Sequence, residues 1–277
     1  MLKQRVITAV ILILLIGSGV VLLPEVGLAL MFGGLVLVAA WEWSALAGLS
    51  SVVAKIGFTL VTFMLMAGVA EYTQLLALEN HSERVRDVLG LGCAWWAVAL
   101  LWVKGYPGSA VIWRSTVVRI LMGLLTLVPA WTALVYLRSH EHGVVLIFVM
   151  VSLVTAADIG AYFSGKAWGK AKLAPEVSPG KSWAGFWGGM ITTVAVALAI
   201  SIVFGDARHS LLAVIVVAFV TGLASVLGDL LESMLKREQG VKDSGRILPG
   251  HGGMMDRLDS MTAAAPVLAL SLLLVGW

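Results

Sequence analysis

The sequence has little charge, and this scarcity decides the class of protein. Only 13% of its 277 residues are Asp, Glu, Lys or Arg, whereas 60% are hydrophobic. A soluble domain carries about 25% charged residues, so an ordinary water-soluble fold is excluded. The single cysteine, Cys93, excludes an intrachain disulfide and stands in an apolar run, so we expect no thiol chemistry. We therefore expect one integral membrane domain over residues 1–277, without a separate soluble domain.

Long apolar runs are what the sequence has in abundance. Nine of them approach the ~20 residues that cross a bilayer, and none alternates as a barrel strand does. They lie at about 6–23, 28–48, 52–70, 88–103, 116–136, 144–164, 183–204, 211–231 and 260–276. We predict an all-α integral membrane protein, a polytopic bundle of about nine transmembrane helices. Helices over about 6–136 form its N-terminal part, and those over about 144–277 carry the chemistry. The third run, which holds Lys55, is the weakest.

The basic residues predict the orientation of this bundle. If nine spans alternate from a cytoplasmic N-terminus, fifteen of the nineteen Lys and Arg residues fall on the cytoplasmic side. This bias follows the positive-inside rule, so we predict a cytoplasmic N-terminus. Both polar loops, 165–182 and 232–259, then face the cytoplasm. The same loops explain the net charge of +3, and no nucleic-acid partner is expected.

A polar stripe marks the end of the eighth apolar run. Asp229, Glu232, Ser233 and Lys236 stand at i, i+3, i+4 and i+7, so they share one helical face. A carboxylate in hydrocarbon costs roughly 2.5–3.5 kcal/mol, so Asp229 should face a cavity or a cation. The alternative is an interfacial pair of Asp229 and Lys236 that only ends the helix.

Two further carboxylates, Asp256 and Asp259, share a face where the last apolar run begins. A Gly-Gly pair just before them allows a tight turn or a close backbone approach. Paired carboxylates suit Mg²⁺, which also takes phosphate oxygens and water. Acidic capping of the helix N-terminus is the alternative, but it leaves Arg257 and His251 unexplained. A zinc role for His251 is not expected, because no second His or usable Cys stands nearby.

The segment between the sixth and seventh runs is also polar. Gly180-Lys181-Ser182 imitates the end of a phosphate-binding P-loop, but Pro175 stands where that loop needs Gly, so we reject a P-loop. A basic loop rich in Gly, Ser and Pro still suits an anionic headgroup or a triphosphate. A loop that only sets the topology is the alternative. Asp158, an intramembrane acid, and Tyr162 precede this segment.

Elsewhere in the runs the polar content is thin. Glu42, between two tryptophans, is expected to be structural or to line a cavity. Four tryptophans have the pattern of a membrane-interface belt: Trp95, Trp96, Trp102 and Trp113.

The run from Ser233 to Asp259 resembles the motif of the phosphatidate cytidylyltransferase family, also called CDP-diacylglycerol synthases. It reads S-x2-K-R-x4-K-D-x-G-x2-L-P-G-H-G-G-x2-D-R-x-D without a departure, and a Ser-Pro-x-Lys-Ser segment stands at 178–182. The resemblance implies transfer of the CMP moiety of CTP to phosphatidate, giving CDP-diacylglycerol and pyrophosphate. It implies Mg²⁺, which a second cation such as K⁺ can accompany. It also implies a homodimer that crosses the bacterial inner membrane many times, with its active site facing the cytoplasm.

The resemblance and the charges of the reactants assign roles to particular side chains. The implied metal ligands are Asp229, Asp256 and Asp259. The residues assigned to catalysis, four of them as contacts of the triphosphate, are Lys236, Arg237, Lys242, Asp243, His251 and Arg257. Those assigned to substrate binding are Asp158, Tyr162, Ser178, Lys181, Ser182 and Ser233. No protein nucleophile is needed, because phosphatidate already carries an ionised phosphate.

Two other functions remain open on the sequence alone. One is a CTP-dependent lipid kinase of the dolichol or phytol type, which attacks a different phosphorus. The other is an ion-coupled transporter that uses Asp158 and Asp229 as titrating groups, although no internal repeat is visible. A CDP-alcohol phosphotransferase is not expected, because the chain lacks a D-G-x2-A-R motif.

Overall fold

The computed structural model describes residues 2–76, 82–204 and 210–276. Over these ranges the chain forms ten α-helices and one antiparallel hairpin of two strands. In chain order the elements are α1 (Leu2–Leu22), α2 (Glu25–Leu46), α3 (Val52–Thr73), α4 (Ser82–Gly105), α5 (Ala110–Trp113), α6 (Thr116–Ser139), α7 (Gly143–Trp168), β1 (Lys172–Ala174), β2 (Ser178–Ser182), α8 (Trp183–Phe204), α9 (Leu211–Glu238) and α10 (Met255–Val275). The predicted all-α polytopic architecture is confirmed.

Each predicted apolar run coincides with one long helix. Eight of these helices, α2 to α4 and α6 to α10, are long and apolar enough to cross a membrane. The apolar stretch found in α1, Val6–Leu22, is shorter, so the count of nine spans stays a prediction. The third run forms the whole of α3 despite Lys55, whose ammonium lies 5.7 Å from the centre of the Trp41 ring. This cation–π contact offsets part of the cost of a charge near the start of the helix.

The core of the bundle is built around α6, which is buried along most of its length. Its neighbours are fixed to it through indole N–H groups. Trp43 of α2 donates from Nε1 to the carbonyl of Arg119 at 2.8 Å, and Trp131 of α6 donates to the carbonyl of Ala29 at 3.0 Å. Because a buried N–H needs an acceptor, each bond fixes the position of α2 along α6.

The tryptophans predicted to form an interface belt are mostly in the core. Trp95 and Trp96 are 5% and 3% exposed, and Trp113 is fully buried. Trp95 donates from Nε1 to Thr126 Oγ1 at 3.0 Å, so its polar group is satisfied inside the bundle. The belt prediction was therefore wrong for these three residues, because spacing along the sequence does not show which helix face meets lipid.

Small residues allow α7 and α8 to pack at backbone distance. Gly188 lies against the side chain of Ser164 and the carbonyl of Gly160, and Gly189 lies against the carbonyl of Ala157. A Cβ at either position of α8 would overlap these atoms. Such close contacts replace the hydrophobic driving force that is absent between helices in lipid. They hold the hairpin between the two helices close to the last turns of α7.

The hairpin and the short helix α5 are the elements of the described ranges that the sequence did not predict. β1 and β2 pair antiparallel, with Lys172 opposite Ser182 and Ala174 opposite Ser178. The sequence indicated only a loop at 165–182, because three- and five-residue strands with Gly, Pro and Lys carry no clear alternation.

The segments predicted to lie on one side of the membrane do meet at one end of the bundle. Arg237, near the end of α9, donates from Nε to the carbonyl of Val177 in the hairpin at 3.2 Å. At the start of α1, Thr8 donates from Oγ1 to the carbonyl of Pro249 at 3.0 Å. The N-terminal helix, the hairpin and the loop after α9 therefore share this end. Which side of the membrane it faces stays a prediction.

Candidate active site

The candidate site is built on a close approach of α9 and α10. Gly228 lies against the backbone carbonyl of Asp259. A Cβ at position 228 would overlap that carbonyl and would lie 3.2 Å from the methyl group of Ala263. Because Gly has no side chain, the two helices meet here at backbone distance. Asp229, the next residue of α9, therefore lies close enough to Asp259 for the two carboxylates to interact electrostatically.

Asp229 is held by two partners from different elements. Lys181 Nζ, on β2, lies 2.6 Å from Asp229 Oδ2, and Ser233 donates from Oγ to Asp229 Oδ1 at 3.1 Å. About a quarter to a third of each charged side chain in the ion pair is exposed, so the pair is accessible from outside the bundle. The structure thus brings together three predicted site residues from two separate polar segments.

Lys236 is enclosed by carboxylates. Its Nζ lies 2.8 Å from Glu232 Oε2 and 2.6 Å from Asp256 Oδ1, and its side chain is only 13% exposed. It therefore joins the end of α9 to the start of α10 by a bridge between two acids. The alternative pair of Asp229 and Lys236 is not formed, because each of these residues pairs elsewhere.

The carboxylate of Asp256 has both oxygens occupied. Oδ1 binds Lys236, and Oδ2 accepts hydrogen bonds from Ser244 N at 3.0 Å, Ser244 Oγ at 3.0 Å and Gly253 N at 2.8 Å. These bonds fold the loop after α9 back onto the first turn of α10. Asp256 thus has an ordering role in addition to the ligand role that the resemblance implies.

Asp259 and Glu232 retain acceptor capacity. Asp259 Oδ1 accepts the N–H of Ser260 at 2.7 Å, which is a contact within its own helix turn. Glu232 is completely buried, and within the described ranges its Oε1 has no hydrogen-bond partner. The two carboxylates lie close enough to interact with each other. A cation between them and Asp229 would stabilise the negative charge that is otherwise buried here.

Negative charge exceeds positive charge along the whole α9–α10 interface. We call the set of carboxylates the acidic seam, and it consists of Asp158, Asp229, Glu232, Asp256 and Asp259. Asp158 joins it from α7 because it interacts with both Lys181 and Asp229. Among the residues that the structure describes, two ammonium groups, those of Lys181 and Lys236, pair with these acids.

The acidic seam does not form a complete metal site by itself. In the described part of the chain, no three His, Cys, Asp or Glu side chains are grouped so that they could hold a metal ion. Mg²⁺ commonly takes one or two carboxylates and completes its shell with phosphate oxygens and water. The arrangement therefore fits a divalent cation that shares its ligands with a phosphorylated substrate.

The other residues assigned to catalysis lie mainly on the surface of the loop after α9. Lys242 and Asp243 are exposed on this loop, and Arg257 is exposed on the first turn of α10, so the two basic side chains can meet an anion from solution. Arg237 uses Nε to hold the hairpin. His251 donates its backbone N–H to Leu248 at 2.9 Å, and its Nδ1 is buried without a partner among the described residues.

A polar cavity of about 410 Å³ opens between α7, α8 and the hairpin. Its polar lining is formed by Asp158, Tyr162, Lys166, Lys181 and Ser182. Tyr162 is 62% exposed, and the Lys166 ammonium lies 5.9 Å from the centre of its ring. The cavity offers a cation and a phenol at the membrane end of the acidic seam, which suits an anionic group.

Two serines assigned to substrate binding have local structural positions. Ser182 is buried, and its Oγ accepts the N–H of Gly185 at 3.1 Å, so it caps the start of α8. Ser178 begins β2 opposite Ala174 and is not among the residues that line the polar cavity.

An apolar groove adjoins the polar cavity. It has a volume of about 670 Å³ and lies between α4, α8, α9 and the hairpin. Leu173, Phe186 and Val226 line both spaces, so the groove and the cavity adjoin each other at these side chains. Lys104 and Glu176 are the charged residues of its lining, while α9 contributes only apolar side chains.

One acid that the sequence left without a catalytic or binding role belongs to the same network. Glu42 of α2 is 3% exposed, and its Oε2 accepts the N–H of Met255 at 2.8 Å. The only signal in the sequence was a single acid between two tryptophans inside an apolar run. Its partners are more than 200 residues away along the chain, so spacing could not identify them.

Comparison of the sequence with known proteins places this chain in a family. Residues 3–275 match the model of the cytidylyltransferase family. A phosphatidate cytidylyltransferase of Pseudomonas aeruginosa is 43% identical over 277 residues, which cover 100% of this chain and 99% of that protein. One of Haemophilus influenzae is 40% identical, with 96% of each chain covered. One of Brucella suis is 45% identical over 136 residues, or 48% of this chain and 49% of that protein.

Proposed function

We propose, because this chain belongs to the cytidylyltransferase family, that it transfers the CMP moiety of CTP to phosphatidate and releases pyrophosphate. The chain is an enzyme, and CDP-diacylglycerol synthesis is supported by full-length similarity to two phosphatidate cytidylyltransferases. The single observation on which the site assignment rests is the acidic seam with its two lysines. Neither the kinase nor the transporter interpretation is favoured.

The reaction joins two anions, and this explains the composition of the site. An oxygen of the phosphatidate phosphate attacks the α-phosphorus of CTP. A new P–O bond forms there, while the bond from the α-phosphorus to the β-phosphate oxygen breaks and pyrophosphate leaves with the electron pair. Positive charge must reduce the repulsion between the reactants and stabilise the leaving group. A protein nucleophile is not required.

The residues present fit Mg²⁺, and a second cation such as K⁺ would find further carboxylate oxygens. Asp229 and Asp259 would hold the metal, because Gly228 brings them together and Asp259 retains acceptor capacity. Asp256 would contribute only after giving up one of its present bonds to Lys236, Ser244 or Gly253. When bound, Mg²⁺ would neutralise charge on the triphosphate and on the leaving pyrophosphate.

The basic side chains divide between the two substrates. Lys242, on the loop after α9, and Arg257, on the first turn of α10, are exposed, so they are available for the triphosphate. Lys181 lines the polar cavity and is placed to bind the phosphate of phosphatidate when that group competes with Asp229. Lys236 acts from inside the acidic seam, where it holds Asp256 in place.

The lipid substrate is expected to occupy both spaces beside the hairpin. The phosphate would lie in the polar cavity near Lys181, and an acyl chain would extend along the apolar groove. The two spaces share Leu173, Phe186 and Val226 in their linings, and this adjacency supports the placement. An amphiphile with a charged head and an apolar tail matches a polar space that leads into an apolar one.

The membrane in which the enzyme lies, its orientation and its oligomeric state are also proposals. The long apolar helices and the bacterial relatives support a multi-pass membrane enzyme. We propose that it lies in the inner membrane with the acidic seam facing the cytoplasm, where CTP is made, and the bias of basic residues supports this orientation. The proposed homodimer rests on the motif resemblance at 233–259.

Position-specific labels test the reaction directly. Purified protein with Mg²⁺ and phosphatidate is given CTP labelled either at the α- or at the γ-phosphate, and lipid is extracted. We expect the α-label in the lipid and the γ-label in pyrophosphate. The γ-label in the lipid would instead identify a lipid kinase, and no label in the lipid from either CTP would contradict both enzymes.

A further inference from the structure

Glu42 is a buried acid in an apolar helix, where desolvation of a carboxylate costs free energy. It stands near the end of α2, in a helix whose other members are apolar or small apart from Glu25 at its start and Ser44. Only 3% of the residue is exposed, and in the described part of the chain its Oε1 has no hydrogen-bond partner. A buried carboxylate is stable only when specific bonds offset its desolvation. The bonds that Glu42 does make therefore indicate its role.

Those bonds cap α10 from another helix. Glu42 Oε2 accepts the N–H of Met255, the first residue of α10, at 2.8 Å. Met254, which precedes the helix, provides no side-chain cap. A carboxylate at a helix N-terminus satisfies an otherwise unpaired N–H and interacts favourably with the helix dipole. Glu42 thus supplies from α2 the cap that the local sequence of α10 lacks.

Ser244 connects this cap to Asp256. Its hydroxyl oxygen lies 3.3 Å from Glu42 Oε2 and 3.0 Å from Asp256 Oδ2. Because a hydroxyl donates one proton, it is shared between the two carboxylates. The loop from 243 to 254 is therefore held between an acid of α2 and an acid of α10.

The loop is also shaped around the Glu42 carboxylate. Gly245 and Gly253 both lie against it, and a Cβ at either position would overlap its oxygens. Two glycines from different parts of the loop thus leave room for one side chain. This fit shows that the loop is packed around the carboxylate itself.

We propose that Glu42 is a positioning residue of the active site. It fixes the first turn of α10 and the preceding loop, and through them the directions in which Asp256 and Asp259 point. It does not touch the reactants. The inference rests on the proposed function, and it assigns to the N-terminal helices the task of orienting the acids of the C-terminal ones.

The test replaces Glu42 by Gln and follows both turnover and local order. Glu42→Gln keeps the size and one carbonyl acceptor for Met255 but removes the charge. We expect kcat to fall by roughly 10- to 100-fold, because small displacements of catalytic groups have effects of this size. The KM for CTP should change by less than about threefold. Amide hydrogen exchange should increase in peptides from 243 to 258 and not in α4 or α7.

Glu25→Gln is the matched control, since it makes the same change on the exposed opposite end of α2. It should alter neither kcat nor the exchange pattern. An unchanged kcat with unchanged exchange in Glu42→Gln would overturn the proposal. So would an increase of exchange throughout the bundle, because that would show a role in overall stability only.

A second variant keeps the test decisive if Glu42→Gln does not accumulate in the membrane. Ser244→Ala removes the shared hydroxyl and leaves both carboxylates in place. Ser244→Ala should also lower kcat and increase exchange in peptides from 243 to 258, to a smaller extent than Glu42→Gln. A Ser244→Ala variant with the kcat and exchange of the wild type would overturn the proposal. If the wild-type protein fails to make CDP-diacylglycerol, the proposed function fails, whereas the exchange experiment still tests whether Glu42 orders the loop.

Discussion

The ammonium of Lys181 lies 2.6 Å from the carboxylate of Asp229 and joins two polar segments that 48 positions separate along the chain. The pair connects the hairpin, which lines the polar cavity, to the helix that carries the acidic seam. About a quarter of the Lys181 side chain is exposed, so an incoming phosphate can compete for it. The pair therefore links the proposed lipid-phosphate site to the acidic seam.

We expect Lys181→Met and Asp229→Asn to be non-additive because their side chains are in direct contact. Each single variant should lower kcat/KM for phosphatidate by more than about tenfold, a change of ~1.4 kcal/mol in transition-state stabilisation. The double variant should lose clearly less than the product of the single effects. Lys170→Met, on the exposed surface of the same segment, is the control and should retain activity. Fully multiplicative effects would show that the ion pair is not used.

Asp259 provides the test of the metal assignment. Asp259→Asn keeps the size of the side chain, so insertion and folding should survive. Activity should fall by about 100-fold or more, and the Mg²⁺ concentration for half-maximal activity should rise, because a charged ligand is lost. Asp87→Asn, an exposed change on α4, should leave both values unchanged. A well-folded Asp259→Asn variant with normal turnover would make Asp259 a helix-capping acid only.

Gly228 tests whether the separation of α9 and α10 matters for activity. In Gly228→Ala the added Cβ would overlap the carbonyl of Asp259, so the helices must move apart. We expect a loss of thermal stability and at least a tenfold loss of kcat, since Asp229 and Asp259 separate. Gly90→Ala is the matched control, because a Cβ there meets no atom within 4 Å. That change should stabilise α4 by up to about 1 kcal/mol. Normal kcat in Gly228→Ala would contradict the close approach.

Chain-length preference tests the apolar groove. Leu223 lines the groove and is 36% exposed, so Leu223→Trp should fill part of the space. Activity toward long-chain phosphatidate should fall several-fold relative to a six-carbon diacyl form, because only the long chain needs the full groove. Leu212→Trp makes the same change on a lipid-facing position of α9 outside the groove and should leave the ratio unchanged. Equal losses for both substrates would exclude the groove as an acyl site.

Reporter fusions test the orientation of the bundle. A reporter inserted in the exposed segment around Lys170 should be active in the cytoplasm, and one placed after residue 277 should be active in the periplasm. The expectation follows from the bias of Lys and Arg and from the contacts that gather the polar segments at one end. A cytoplasmic reporter signal after residue 277 would mean that the number of spans is even.

The choice of residues for control substitutions also depends on the tertiary contacts. Glu238 and Glu176 are two acids to which the motif-based assignment gives no role. Glu238 instead pairs with Arg114 at 2.7 Å and connects the end of α9 to the loop after α5. Glu176 lines the apolar groove. Neither is therefore a suitable control, whereas Lys170 and Asp87 are exposed and line neither the groove nor the polar cavity.

The sequence by itself determined that the chain lies in lipid, that its long elements are helices, and which family it resembles. Charge is scarce and the apolar runs are about 20 residues long, so these segments lie in lipid. There, helices satisfy the hydrogen bonds of the backbone. The spacing of Asp229, Ser233 and Lys236 placed them on one helix face, because that face depends only on the 3.6-residue period. The motif from Ser233 to Asp259 indicated the family, because its residues are close together in the chain.

Only the tertiary structure decided which of these side chains meet and which are already occupied. Lys181 reaches Asp229, Lys236 is enclosed by two acids, and Glu42 caps a helix 213 positions later. Such contacts depend on how closely the helices and the loop approach one another. Gly228 allows α9 to approach α10, and Gly245 and Gly253 allow the loop to approach Glu42, because these residues lack a side chain. A sequence pattern records the spacing along one helix. It does not record the distance between two helices, and the acidic seam exists because of that distance.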